Sequence, residues 1–309
     1  MPENKLFLPE GLRPPAVHTL TTLHHAAESG EILEAVAQRC DVNHTLHFSL
    51  NGIHATMERS EVNARWISGA DRDISVLSRV GKPTCFTVTS LCADEKGAPV
   101  ARLSRRTAQE TAMEHFLHTL RPGSILTCRV TRPESFGAFL DIGCGIIAML
   151  PIERLSISRI SHTGQRLHSG QKLPAAVLSI DRSQLRFTMT LRELLGSWME
   201  NASQFRAGET VPGIVRSVQS YGSFIELTPN LSGLADPRED LHVGDRVSVF
   251  IKSIRPERMK IKLQVIEVLP ADEAPPLHFQ ITDGILDQWV YSPSCCEKEP
   301  VETRFASCS

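Results

Sequence analysis

Four aromatic side chains sit in two stretches of one design: SFGAFLDI over 135–142 holds Phe136 and Phe139, and SYGSFIEL over 220–227 holds Tyr221 and Phe224. Two rings held side by side outside a core can stack unpaired bases, each stacked base contributing about 1–3 kcal/mol. Such binding also needs cations along the phosphate backbone. Arg129, Arg132, Arg182 and Arg186 accompany the first pair; Lys252, Arg255, Arg258, Lys260 and Lys262 accompany the second. Strand alternation sends Leu140 and Ile142 inward and Phe139 and Asp141 outward. Gly137 is expected at a bulge or sharp bend that returns Phe136 to the face of Phe139. In MKIKL the same alternation turns Lys260 and Lys262 to solvent and Met259, Ile261 and Leu263 inward. Asp141 and Glu226 read as acids on an outer strand face. The plain structural alternative, a ring capping a barrel end, is weakened by the pair's recurrence in one register.

The elements that position these rings come from a repeat. Aligning Phe136 on Tyr221 gives an offset of 85 that holds without a gap from Gly123/Gly208 through Pro151/Asp236. Beyond that the offset is 74, so the first copy carries 11 extra residues around ERLSISRISHTGQRLH. Each copy reads as five short strands with period-two alternation and Gly or Pro at the joints. Five strands in some 60 to 70 residues suit a small closed barrel of the OB type, which removes exposed sheet edges. The fold class is therefore mainly β, tandem five-stranded OB-type barrels joined by short helical linkers over 107–120 and 192–205. The expected boundaries are a helical segment at 1–39, a degenerate copy at 40–107 with His47 near the place of Phe139, full repeats at 121–193 and 208–268, and an acidic, poorly ordered tail at 269–309. In the tail, QWVYSP around Trp289 and Tyr291 is expected to pack back onto a barrel.

Composition narrows the classes. The chain has 309 residues, 41% hydrophobic and 22% charged, which suits two to four soluble domains. No apolar run approaches the roughly 18 residues needed to span a bilayer, and the first residues, MPENKLFLPEGLRPP, form no secretory signal, so a cytoplasmic location is expected. Eight scattered cysteines without CxxC favour free thiols over a disulfide framework or a zinc site, and no metal or cofactor is expected. The net charge of −2 is uneven: residues 121–193 hold ten Lys/Arg against five Asp/Glu, residues 208–268 eight against eight, and residues 269–309 two against seven. There is no Gly-rich phosphate loop, HExxH or GxSxG, so an enzyme is not expected.

FGAFLDIG, GQK and LRFTMTLRE, then YGSFIELTPNLSGL, resemble the RNA-binding repeat of the bacterial ribosomal protein S1 family; LSRR at 103–106 resembles its repeat-ending strand. Three such repeats cover about residues 40–268. The resemblance implies OB-type barrels that bind single-stranded RNA through the aromatic pair, a histidine after the third strand, and an aspartate and an arginine near the last hairpin. Carried over, Phe136, Phe139, Asp181 and Arg186 match in the middle repeat, with Pro151 at the histidine position. In the last repeat Tyr221 and Phe224 match, Asp236 replaces the histidine, Arg255 the aspartate, and Lys260 stands for the arginine. The implied partners are mRNA and the small ribosomal subunit, with no membrane and with the degenerate copy as a docking module. The rival expectation is a protein-docking scaffold with little RNA affinity, favoured by the neutral last repeat, the acidic tail and Asp236.

Overall fold

The computed structural model describes residues 7–67, 69, 72–270 and 276–305. In chain order the elements are α1 (Leu20–Ser29), β1 (Leu33–Val36), β2 (Arg39–Cys40), β3 (Leu46–Leu50), β4 (Ile53–Met57), α2 (Arg59–Val62), α3 (Asp73–Leu77), β5 (Pro83–Ala93), β6 (Pro99–Ser104) and α4 (Arg105–Thr119). There follow β7 (Ile125–Pro133), β8 (Gly137–Gly143), β9 (Ile146–Pro151), β10 (Lys172–Asp181), β11 (Arg186–Thr190) and α5 (Trp198–Ala202). The chain ends with β12 (Thr210–Gln219), β13 (Gly222–Thr228), β14 (Leu231–Ala235), β15 (Arg246–Arg255), β16 (Lys260–Leu269), β17 (Gln288–Val290) and β18 (Glu302–Arg304).

Two closed five-stranded barrels, β7 to β11 and β12 to β16, share one strand order, and in each the third strand closes parallel to the fifth. Their cores follow the alternation: Leu140, Ile142, Val130, Phe187 and Met189 are buried in the middle barrel, and Val215, Ile225, Val249, Ile261 and Leu263 in the last. Lys260 and Lys262 face solvent, as MKIKL requires.

The first module keeps this order as an open six-stranded sheet, β1-β5-β6-β4-β3-β2. Its first strand is broken in two: β1 pairs with β5 and β2 with β3, the gap falling at Ala37-Gln38. That strand starts at Leu33, within the stretch expected to be helical. The helix covers only Leu20–Ser29, where Gly30 at φ 70° supplies the left-handed cap. The pairings Arg102↔Thr56 and Thr56↔His47 put His47 at the register position of Phe139. There His47 contacts the ring of His54 and the carboxylate of Asp41.

The linkers also depart from expectation. α4 is one helix, with Met113 and Phe116 buried, but 192–205 splits at Gly196 (φ 84°) into a 3-10 turn and the short α5. The tail is not loose over residues 276–305. Gln280 N–H donates to the Leu194 carbonyl (2.8 Å), Leu286 N–H to Gly123 (2.9 Å), and β17 pairs with β18. Trp289 and Tyr291 join the last barrel's core, and the Tyr291 hydroxyl donates to the Asn230 carbonyl (2.6 Å). The packing expected of these two rings is thus present, whereas the poorly ordered tail expected from the acidic composition is not found over these residues. Cys308 lies outside the described residues. Among those residues the cysteines are free, no His/Cys/Asp/Glu group is arranged to hold a metal, and no helix is long and apolar enough to cross a membrane.

Candidate nucleic-acid interface

Both aromatic pairs lie together on outer barrel faces. Phe136 and Phe139 have ring centroids 6.1 Å apart at 82°, and Tyr221 and Phe224 6.3 Å apart at 88°. Phe136 is 55% exposed, Tyr221 62% and Phe224 37%, while Phe139 is half-buried. Rings that large stay exposed at a cost in apolar hydration, and their edge-to-face contact fixes each face for a further planar group.

The expected bulge at Gly137 lies instead on the partner strand. The register shifts between Val130 and Arg132, and the intervening Thr131 hydroxyl donates to the Phe139 carbonyl (2.9 Å). The last barrel shifts likewise between Val215 and Ser217. Glycine serves close approach at this position: a Cβ on Gly137 would clash with the Leu150 carbonyl and Met149 Cε, and one on Gly222 with the Ala235 carbonyl.

Register then lines up the platforms. Across the middle barrel Arg132, Phe139, Met149, Thr188 and Ser179 form one row, with the Asp181↔Arg186 pair two residues on. Across the last barrel the row is Ser217, Phe224, Leu234, Lys262 and Ser253, with Arg255↔Lys260 beyond it. Lysine thus replaces threonine, and arginine replaces aspartate, beside the second platform. Asp181 caps its own hairpin, accepting from the Ser183 hydroxyl (2.6 Å) and from the N–H groups of Ser183 and Gln184, which hold its carboxyl below the usual range. Asp236 pairs with Lys252 (2.9 Å), and that hydrogen bond and charge lower its carboxyl too. The acid that favoured the docking-scaffold expectation is therefore matched by a lysine.

The middle barrel's arginines are used differently. Arg132 stacks over Phe139 (5.3 Å) and pairs with Glu134 (2.8 Å). Arg129 belongs elsewhere: it stands opposite Asp141 and donates to the Glu10 carbonyl (3.0 Å), so it fixes the N-terminal segment rather than flanking the rings. Arg182 likewise donates to the Leu117 carbonyl at the end of α4. Of the expected cations in this barrel, Arg186 alone has no hydrogen bond or ion pair to another described residue.

Asp141 and Glu226 are not surface acids, although both point outward. Asp141, 2% exposed, accepts from the N–H groups of Glu10 (2.8 Å), Gly143 (2.8 Å) and Gly145 (3.1 Å). Burial and the Glu10 charge push its carboxyl up to about 7 against those donors. For Glu10 burial is outweighed by Arg105 (2.6 Å) and Arg79 (2.7 Å), which hold it down at about 2. Glu226, 5% exposed, is gripped by Arg166 (2.6 Å) and Arg216 (2.8 Å); burial opposes its charge, but the two guanidinium groups outweigh it and lower the carboxyl. Each acid is therefore the socket for an upstream segment, residues 7–13 on the middle barrel and the inserted loop on the last. Alternation gave their direction and could not show what covers them. An acid repeated at one register position was the signal available.

Residues 119–192 match the family model described as the S1 RNA binding domain. The chain is similar to the small ribosomal subunit protein bS1 homolog of Bacillus subtilis, 28% identical over 61% of this chain and 52% of that one. It is also similar to the small ribosomal subunit protein bS1 of Leuconostoc lactis, 30% identical over 55% of this chain and 44% of that one. The chain spans about half the length of the curated relatives it matches. Among solved structures there is a likeness to a multidomain protein with nucleic acid binding domains from Streptococcus pneumoniae, 13% identical over 77% of this chain and 73% of that one, TM-score 0.25.

Proposed function

We propose that this chain, which carries an S1 RNA binding domain match over residues 119–192 and is similar to bS1 proteins, is a member of the bacterial ribosomal protein S1 family and binds single-stranded RNA on the outer faces of its middle and last barrels. The observation that carries this is the repeated pair of exposed rings in one register, each with cations beside it, of which Arg186 at the first pair and Arg255, Lys260 and Lys262 at the second have no ion pair among the described residues. Phe136 and Phe139 with Arg132 and Arg186 form one platform; Tyr221 and Phe224 with Lys252, Arg255, Lys260 and Lys262 form the other. Bases stack on the rings and cations follow the phosphates, an arrangement tolerant of sequence. Two modest sites on one chain raise avidity without new contacts. The protein is a non-enzymatic binder of mRNA at the small ribosomal subunit in the cytoplasm. The first module, whose platform positions hold His47, Cys92 and Val100, contributes no stacking and serves docking instead.

A labelled unstructured RNA titrated by fluorescence anisotropy across a salt series tests this. Wild type is expected to bind with a clear negative log-salt slope, and Phe136→Ala/Phe139→Ala to lose several-fold or more in affinity. Folded protein that binds no RNA in either form would transfer the rings to barrel structure and favour the docking scaffold.

A further inference from the structure

The 11 inserted residues of the middle repeat are not needed to close its barrel, since the last barrel closes without them. They lie between the two platforms. The insert leaves beside Phe136, where Ile152 N–H donates to the Phe136 carbonyl (3.0 Å). It returns at Thr163, whose hydroxyl donates to the Glu134 carbonyl (2.7 Å) beside the same ring. In between it rests on the last barrel: Ser158 N–H donates to the Pro229 carbonyl (3.0 Å), Ile157 N–H to Asn230 Oδ1 (3.0 Å), and the Ser158 and Ser232 hydroxyls meet at 3.0 Å. Ser232 shares a strand face with Leu234, the cross-strand partner of Phe224. Two residues of strand, about 7 Å, separate the insert's footing from the second platform's row.

Two apolar anchors hold the tip. Ile157 packs against the last barrel's core and Ile160 against the middle barrel's, with the Arg166–Glu226–Arg216 cluster behind them. Arg159 stands between those anchors, exposed and without a hydrogen bond or ion pair to another described residue. His162 is also exposed; its Nδ1 accepts from Gly164 N–H (2.9 Å), which leaves the proton of the neutral ring on Nε2, with no hydrogen-bond partner among the described residues. Both are donors on a backbone already fixed from two sides, so ordering them on a ligand costs little. The barrels' own histidine positions hold Pro151 and Asp236, the latter paired with Lys252, and neither supplies a free donor.

We propose that the insert is a phosphate-binding bridge, with Arg159 and His162 carrying one RNA strand from the Phe136/Phe139 platform to the Tyr221/Phe224 platform. This rests on the RNA-binding reading above. A strand that crosses the joint engages both barrels and the bridge; a strand confined to one platform does not need the bridge.

The test uses the full chain and two unstructured RNAs, one of about 5 nucleotides, within a single OB-barrel site, and one of about 30, longer than the roughly 16 nucleotides that one such barrel holds. Arg159→Ala/His162→Ala and Arg159→Glu are titrated beside wild type across salt, with a urea midpoint to confirm unchanged stability. Expected is a five-fold or greater loss on the long RNA, a log-salt slope shallower by about 0.7 for the arginine, and no change on the short RNA. Equal long-RNA affinity and slope in wild type and variants would overturn the bridge while leaving RNA binding intact. Wild type that binds neither RNA would overturn both.

Discussion

The middle and last barrels share strand order, register and aromatic pair, yet use their charges in opposite ways. The middle repeat holds ten basic residues against five acidic, but most are committed within the fold: Arg121 to Asp287, Arg129 to Glu10, Arg132 to Glu134, Arg154 and Arg192 to Glu193, Arg166 to Glu226, Arg182 to Leu117. The last repeat is neutral in sum, yet Arg255, Lys260 and Lys262 stand uncommitted beside Phe224 and Tyr221. A phosphate responds to charge within about a Debye length that is not already paired. The neutral barrel therefore has the stronger local field, and the basic barrel's arginines mainly assemble the molecule.

The largest expected effect concerns assembly. Glu226→Ala leaves Arg166 and Arg216 buried and unpaired, a loss of about 3–5 kcal/mol. Asp141→Ala strands three backbone N–H groups instead and costs about 1–3 kcal/mol for each one that water cannot reach. Urea midpoints on the full chain, with hydrogen exchange to locate the loosened barrel, check this; unchanged midpoints would mean that neither acid joins modules. Next comes the field. Replacing Arg255, Lys260 and Lys262 by alanine is expected to make the log-salt slope of RNA binding shallower by about 2, against no change for Arg129→Ala, as counterion release from a single strand gives about 0.7 per phosphate contact. The reverse ranking would restore net charge as the guide. The smallest effect is pH. The lowered Glu226 carboxyl stabilises the joint above the ordinary glutamate value of 4.5, and that contribution is lost as pH falls from there through the depressed value. Glu226→Gln, less stable at neutral pH, should therefore lack this part of the acid dependence when melting curves are compared.

Much of this was legible in the sequence because barrels obey short-range rules. Alternation placed Leu140, Ile142, Ile261 and Leu263 inside and Lys260 and Lys262 outside, and the 85-residue offset found both pairs of exposed rings. The aromatic pairing was legible for the same reason. What stayed hidden depends on contacts distant in sequence. Alignment of Phe136 on Tyr221 cannot show that Glu10 reaches Asp141 across 131 residues, or that Arg166 reaches Glu226 across 60. The bulge was assigned to Gly137 because glycine marks irregular backbone, whereas a β-branched residue, Thr131, occupies it. In the tail the packing back of Trp289 and Tyr291 was legible from ring size, while the looseness expected of the rest came from averaging charge over the whole segment.

The central claim is that both aromatic platforms bind single-stranded RNA, and photocrosslinking tests it most directly. The 309-residue chain bound to an unstructured RNA containing 4-thiouridine is irradiated, digested and mapped by mass spectrometry. Crosslinks are predicted in the peptides holding Phe136 and Phe139 and in those holding Tyr221 and Phe224. Crosslinks confined to the first module or to residues 276–305, with both ring-bearing peptides unmodified, would contradict the account.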